Sequence, residues 1–173
     1  MASVTSNGGR PGDDQELERL LAGYDTALLT TRGPDGHFHT RPMAMQKHRA
    51  SSRELWFVTS LESTKVHDLE SDAQCAIALY SGQHSATYVS ISGSAEIVRD
   101  RQMIHRLWEP GWRAWFPQGA DEPDIALIHF RAEHAEYVHP VTGRLQVLFT
   151  MVRNIVTRNR AEPAAKKELD WQH

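Results

Sequence analysis

The stretch Leu55-Trp-Phe-Val-Thr-Ser-Leu-Glu-Ser-Thr-Lys-Val-His-Asp-Leu69 constrains the fold more than any other part of the chain. Leu55, Trp56, Phe57 and Val58 are apolar or aromatic residues with strong β preference, so the stretch opens as a strand. Thr59 and Ser60 end it. Ser63 and Thr64 stand where a helix begins, and Val66 and Leu69 give that helix an apolar stripe beside polar His67, Asp68 and Glu70. A strand passing into a hydroxyl-rich helix start, with Lys65 in the first turn, has the parts of an anion cradle. Those parts are free backbone N–H groups, the positive end of the helix dipole, Ser/Thr hydroxyls and an ammonium. The same residues suit a plainer purpose, because Ser63 or Thr64 can simply cap the helix. Both readings stay open at this level.

The rest of the chain gives that unit one domain to sit in. The 173 residues are enough to bury a core, and 40% hydrophobic with 24% charged residues is ordinary for a globular protein. A formal net charge of -3 gives no pull toward nucleic acid. Residues 1–12 are rich in Gly, Ser and Asn, carry no apolar core and are expected to be a disordered tail rather than a signal or anchor. No apolar run approaches the roughly 20 residues of a membrane span. The single cysteine, Cys75, lies in an apolar stretch and is expected to be a buried thiol, which excludes a disulfide framework within the chain. Together these features point to the cytoplasm, with no membrane and no nucleic-acid partner.

In chain order, Asp13 or Asp14 caps a helix through Leu17, Leu20 and Leu21 that ends at Gly23. Ala27–Thr31 is a strand. Gly33-Pro-Asp-Gly36 is a turn, and the chain returns as a strand from His37 to about Lys47, making a hairpin. Pro42 in that strand donates no ladder bond, so the strand is an edge, bulged or facing a cavity there. Arg41 beside the break suits an anion, though a lone Arg is more often a solvated surface residue. After the organising strand and helix come strands at Ala73–Tyr80 and Ala86–Val98. Gly93 in the latter suggests a bulge or sharp bend. Asp100 caps a helix through Met103, Ile104 and Leu107.

Trp108, Trp112, Trp115 and Phe116 then crowd a segment broken by Pro110, Gly111 and Pro117. Such a cluster serves either as a core plug or as a wall for a flat ring. Ile125–Arg131 and Ala132–His139 read as one or two strands, 141–160 as a C-terminal helix, and 161–173 as a charged flexible tail. Many strands between short helices, without βαβ alternation, favour an antiparallel barrel over a parallel sheet.

Other chemistries lack their motifs. His37 and His39 share a strand face, but with no H-E-x-x-H pair and no cysteine cluster no built-in metal site is expected. There is no G-x-S-x-G elbow, no G-x-G-x-x-G and no P-loop.

The order of the pieces resembles the pyridoxamine 5′-phosphate oxidase-like FMN-binding split barrels, most nearly the general stress protein 26-like branch. The likeness rests on Ala27-Leu-Leu-Thr-Thr31 with the Asp35-Gly36 turn, Arg41-Pro-Met43, and Leu55-Trp-Phe-Val-Thr-Ser60 followed by Ser63-Thr-Lys65. It continues through Tyr88-Val-Ser-Ile-Ser-Gly93, Asp100-Arg101, Leu107-Trp108, Trp115-Phe-Pro-Gln-Gly119 and Ala135-Glu-Tyr137. The resemblance implies a mainly β fold with flanking helices, a six-stranded antiparallel split β-barrel over 13–140. It implies a homodimer with flavin mononucleotide (FMN) sites at the interface, FAD being the alternative cofactor. By the family pattern Arg41 and Lys65 hold the phosphate, with Ser63 and Thr64 at the helix start. Pro42, Met43, Val58 and Thr59 line the ribityl chain and ring edge. The aromatic clustering adds Trp108 and Trp115 as a cover for the ring.

The chain departs from the oxidase itself at Gln46, where that enzyme has a second basic residue, and at Tyr88, where it has Gln. The resemblance therefore implies flavin binding rather than pyridoxamine phosphate oxidation. Two functions follow: an FMN-dependent oxidoreductase of unidentified substrate, with no catalytic residue assigned, or a non-catalytic flavin-binding stress protein for storage or sensing. A split barrel holding haem or a deazaflavin is a third, which the phosphate cradle disfavours.

Overall fold

The computed structural model describes residues 13–46, 53–81, 87–139 and 165–170. In order these form α1 (Asp13–Leu21), β1 (Thr26–Arg32), β2 (Phe38–Ala44), β3 (Glu54–Ser60), α2 (Thr64–Ser71), β4 (Gln74–Ser81) and β5 (Thr87–Val98). Then come α3 (Arg101–Leu107), a 3-10 turn (Pro110–Ala114), β6 (Ile125–His139) and β7 (Ala165–Asp170). Six strands lie in the spatial order β2-β1-β4-β5-β6-β3, every neighbouring pair antiparallel. The sheet curls into a split half-barrel, which brings its two edge strands, β2 and β3, toward each other.

Side-chain alternation sets the register. β3 alternates strictly between half-buried and buried positions, and Leu55, Phe57 and Thr59 point inward. A slip of one residue would turn that set to the wrong face. Leu29, Phe57, Ile77, Ile91 and Phe130 are fully buried inside the barrel, and Leu17 and Leu21 of α1 pack onto the same core. Each such side chain contributes about 1.5–3 kcal/mol on burial. A second, separate core forms on the outer face, where Ile104 and Leu107 of α3, with Trp112 and Phe116, cover Ile125 and Leu127 of β6. Asp100 caps α3 by accepting from the N–H groups of Gln102 and Met103.

Geometry requires glycine at Gly36 and at Gly93. Gly36 takes φ 85° in the hairpin turn, a conformation that side chains disfavour. At Gly93 the β5–β6 register shifts between Ser92 and Gly93, and an added Cβ would lie 2.0 Å from the Arg131 carbonyl oxygen. The shift leaves Glu133 of β6 as the extra residue, since Ser92 faces His134 and Gly93 faces Ala132. Ile125–His139 is thus one bent strand rather than two, with the bend at the bulge.

The C-terminal segment differs from expectation. Ala165–Asp170, expected within a flexible tail over 161–173, pairs antiparallel with His134–His139 of β6. The physical reason is the length of β6. Its first half pairs with β3, whose first residue Glu54 lies opposite Arg131, and its second half leaves a free row of backbone donors and acceptors on that edge. A charged segment is no obstacle to an edge strand. The expected tail over 1–12 and helix over 141–160 lie outside the described residues. Among the described residues no helix is long and apolar enough to cross a membrane.

Candidate functional site

The seam between β2 and β3 has a closed end and an open end. At the closed end the Gln46 N–H donates to the Trp56 carbonyl across 3.2 Å. Toward the open end, Arg41–Ala44 of β2 and Val58–Ser60 of β3 flank a pocket of about 480 Å³. That size is within the roughly 300–1,000 Å³ of small-molecule and cofactor sites. Lys65 of α2 and Trp115, Phe116 and Asp124 from the segment before β6 complete the wall. Pro42 sits where β2 has no β3 partner, so its missing N–H costs no ladder bond on that side.

The turn from β3 into α2 is organised by hydroxyls, and its hydroxyls do not cap the helix. Ser63 is the N-cap residue with extended backbone, yet its hydroxyl donates to the Ser60 carbonyl at 2.7 Å and makes no cap bond. The first-turn N–H groups of α2 are therefore left without a side-chain cap, as an anion cradle requires. The Ser60 hydroxyl accepts from the Glu62 N–H, and the Leu61 N–H donates to the Asp124 carbonyl at 2.8 Å, tying the turn to β6. Lys65 Nζ donates to Thr59 Oγ1 at 3.1 Å, and Thr59 Oγ1 is 3.0 Å from Ser63 Oγ. Burial lowers the Lys65 pKa and the Arg41 charge lowers it further. The pocket thus holds two cations close enough to oppose each other, and an anion between them relieves that opposition.

Arg41 reaches the pocket from a buried network. Its Nη1 donates to Thr31 Oγ1 at 2.7 Å and its Nη2 to Asp68 Oδ2 at 3.1 Å. The same Oδ2 accepts from Thr31 Oγ1 at 2.6 Å and from His39 Nδ1 at 3.0 Å. Burial pushes the Asp68 carboxyl up, but the hydrogen bonds from Thr31, His39 and Arg41 outweigh it and hold it below the ordinary carboxylate value. Gly33 admits His39 to this network, because an added Cβ would lie 2.9 Å from His39 Cε1 and 2.8 Å from Asp35 Oδ1.

The tryptophan cluster divides between the two purposes open to it. Trp112 is buried in the outer core, and Trp108 meets it edge-on with centroids 5.4 Å apart. Trp115 is 66% exposed and lines the pocket. Of the residues expected at the site, Arg41, Pro42, Met43, Val58, Thr59, Lys65 and Trp115 line the pocket together. Ser63 stands one residue behind it through Thr59, and Thr64 is exposed at the first position of α2. Trp108 does not line the pocket. Its side chain is drawn into the outer core by Trp112, which corrects its expected place over a ring.

Sequence reasoning missed Ala44, Ser60 and Asp124 in the wall, and Thr31, His39 and Asp68 behind it, while Phe116 of the aromatic cluster both packs in the outer core and lines the pocket. The hairpin register pairs Thr31 with His39, and Arg41 shares the His39 face. That spacing was the one available signal for the network. Asp124 lies in an irregular loop whose sequence carries no such signal. Cys75 is buried, and burial, followed by nearby Glu133 and Asp72, pushes its thiol to about 12, so it is inert.

Comparison with known proteins agrees with this architecture. The family described as "Pyridoxamine 5'-phosphate oxidase like" matches residues 13–162. Protein bli-3 of Neurospora crassa is 24% identical over 166 residues, covering 91% of this chain and 79% of its own. The crystal structure of the general stress FMN/FAD binding protein from Xanthomonas citri is 30% identical, with a TM-score of 0.63, covering 78% of this chain and 92% of that one. A protein related to general stress protein 26 from Clostridium acetobutylicum superposes with a TM-score of 0.65 at 22% identity, covering 75% of this chain and 92% of that one.

Proposed function

We propose that this chain, which belongs to the pyridoxamine 5′-phosphate oxidase like family, binds FMN in the open seam and acts as a flavin-dependent oxidoreductase. The observation that carries the reading is the convergence of Arg41 and Lys65, beside an α2 start with no side-chain cap, on one pocket that has apolar walls from Pro42, Met43, Val58 and Phe116 and polar groups from Thr59, Ser60 and Asp124. Arg41 and Lys65 hold the phosphate, aided by the first-turn N–H groups of α2. Pro42, Met43 and Val58 flank the flat ring and ribityl chain, and Trp115 covers the ring from the exposed side. The Xanthomonas citri relative's description names both FMN and FAD. FMN is favoured here because one monophosphate matches one pair of cations.

When bound, the flavin supplies the electron or hydride transfer. The residues of the chain bind and orient it, exclude water from one face, and keep the phosphate charge compensated.

The exposed apolar groups on the outer face of the sheet fit the same reading. Leu28, Tyr80 and Tyr88 are exposed on the outer face of β1, β4 and β5, and Leu28 is paired with exposed Pro42. Tyr80 and Tyr88 are directly opposite each other. A second copy covering that face would meet Pro42, which also lines the pocket, so the site would lie at a homodimer interface. Sedimentation equilibrium tests this, with a dimer expected and a concentration-independent monomer against it.

One observation favours a second, non-catalytic reading as a flavin-storing or flavin-sensing stress protein. Among the described residues the titratable groups of the pocket are Arg41, Lys65 and Asp124, and no histidine or cysteine lines it. Stopped-flow reduction of the FMN-loaded protein by NADH or NADPH separates the two. Rapid bleaching with reoxidation by an acceptor supports turnover, and a bound flavin that neither reductant reduces supports storage or sensing.

A further inference from the structure

Asp68 is fully buried on α2, and three donors from two other strands converge on its Oδ2 while its Oδ1 has no partner among the described residues. We propose that Asp68, with Thr31 as a relay, is the positioning residue for Arg41, fixing the guanidinium at the pocket wall so that an anionic group meets an already oriented donor. This rests on the reading of Arg41 as a phosphate-binding arm.

The proton inventory supports it. A carboxylate only accepts, so the single Thr31 hydroxyl hydrogen goes to Asp68, and a Thr31 lone pair receives Arg41 Nη1. Arg41 is therefore tied to Asp68 twice, directly through Nη2 and through Thr31 by Nη1. Both guanidinium arms are fixed in one plane, and the remaining donors of its five are left for the pocket. The carboxylate also requires His39 to carry a hydrogen on Nδ1. An unpaired Oδ1 in a fully buried carboxylate costs stability, as expected where orientation of a neighbour is retained at the expense of packing. Asp68 lies one helical turn after Lys65, so α2 presents one cation of the pair and orients the other.

The test is titration of the apoprotein with FMN and with riboflavin, which differs by the phosphate, in wild type, Asp68→Asn, Thr31→Val, Arg41→Ala and the Arg41→Ala/Asp68→Asn double variant. Side-chain ¹⁵N NMR of Arg41 in the same apoproteins accompanies it. Positioning predicts about tenfold weaker FMN and unchanged riboflavin for Asp68→Asn. It predicts a smaller loss of the same kind for Thr31→Val, and no further loss when Asp68→Asn is added to Arg41→Ala. The guanidinium signals should be those of a rigid group in wild type and of a freely rotating one in Asp68→Asn. Tighter FMN in Asp68→Asn would mean that Asp68 is only a counter-charge, and equal losses for both flavins would mean that it acts through the fold; either overturns the proposal. If Asp68→Asn does not fold, Thr31→Val carries both readouts. If wild type binds neither flavin, the flavin reading fails, and Arg41 rigidity alone decides the positioning claim: rigid in wild type and mobile in the variants upholds it, equal mobility overturns it.

Discussion

The two ends of the β2–β3 seam are built from adjacent residues and do opposite things. At the closed end Gln46 and Trp56 join the strand edges by a backbone hydrogen bond. A few residues along, Arg41–Ala44 and Val58–Ser60 leave a pocket, and the polar groups there bond to α2 and β1 instead of to each other. The difference lies in what satisfies the strand edges. Where backbone pairs with backbone the sheet shuts. Where Pro42 offers no N–H to the open edge and α2 brings Lys65 and Asp68 alongside, the edges are held by side chains, and those side chains are what a ligand meets. A barrel of this kind obtains its site by leaving its own closure incomplete.

The contrast can be broken from either side. The largest effect belongs to the barrel interior. Phe57→Ala, beside the seam and fully buried, should cost about 3–5 kcal/mol of stability in a denaturant titration. Among molecules that remain folded it should leave the ratio of FMN to riboflavin affinity unchanged. Lys65→Ala acts at the open end alone: FMN binding should weaken by about 1.5–3 kcal/mol, with riboflavin little affected and the unfolding midpoint nearly unmoved. Equal losses for both ligands would assign Lys65 to the fold.

Asp68 ties the open end to pH. Its folded pKa lies below its unfolded one, so its contribution is complete above the ordinary carboxylate value and is lost as pH falls through the lowered value. Asp68→Asn should therefore lose stability less steeply than wild type as pH falls below the ordinary carboxylate range, in denaturant melts taken at each pH. Parallel curves would show that the network does not hold the carboxylate. The smallest effect separates the tryptophans. Trp115→Ala should weaken both flavins by about 0.5–1.5 kcal/mol and spare stability, whereas Trp108→Ala should lower stability by a similar amount and spare binding.

The barrel and its phosphate-type residues were legible in the sequence because they follow local rules. The β preference of Leu55–Val58 named β3, the Gly36 turn named the hairpin, and Gly93 marked the bulge. Arg41, Lys65 and the hydroxyl run stood out by residue type and position. The buried support did not. Asp68 sits in a helix next to charged Glu70 and reads as a solvated acid. Only the packing of α2 against the β1–β2 hairpin turns it inward onto Thr31, His39 and Arg41. The fate of the tryptophans was equally invisible, since Trp108 and Trp115 are alike in composition and differ only in place: Trp108 follows α3 and packs on the outer core, and Trp115 follows the 3-10 turn and lines the pocket. β7 escaped notice because its partner is an edge left free by the length of another strand, which no local window records.

The measurement that bears most directly on the open seam is parallel titration of the apoprotein with FMN and riboflavin, followed by the flavin absorption bands. The expected result is saturation at one FMN per chain, with riboflavin at least about tenfold weaker, the scale of charge-assisted bonds from Arg41 and Lys65 to a phosphate. Absence of FMN binding, or equal affinity for the two flavins, would contradict it.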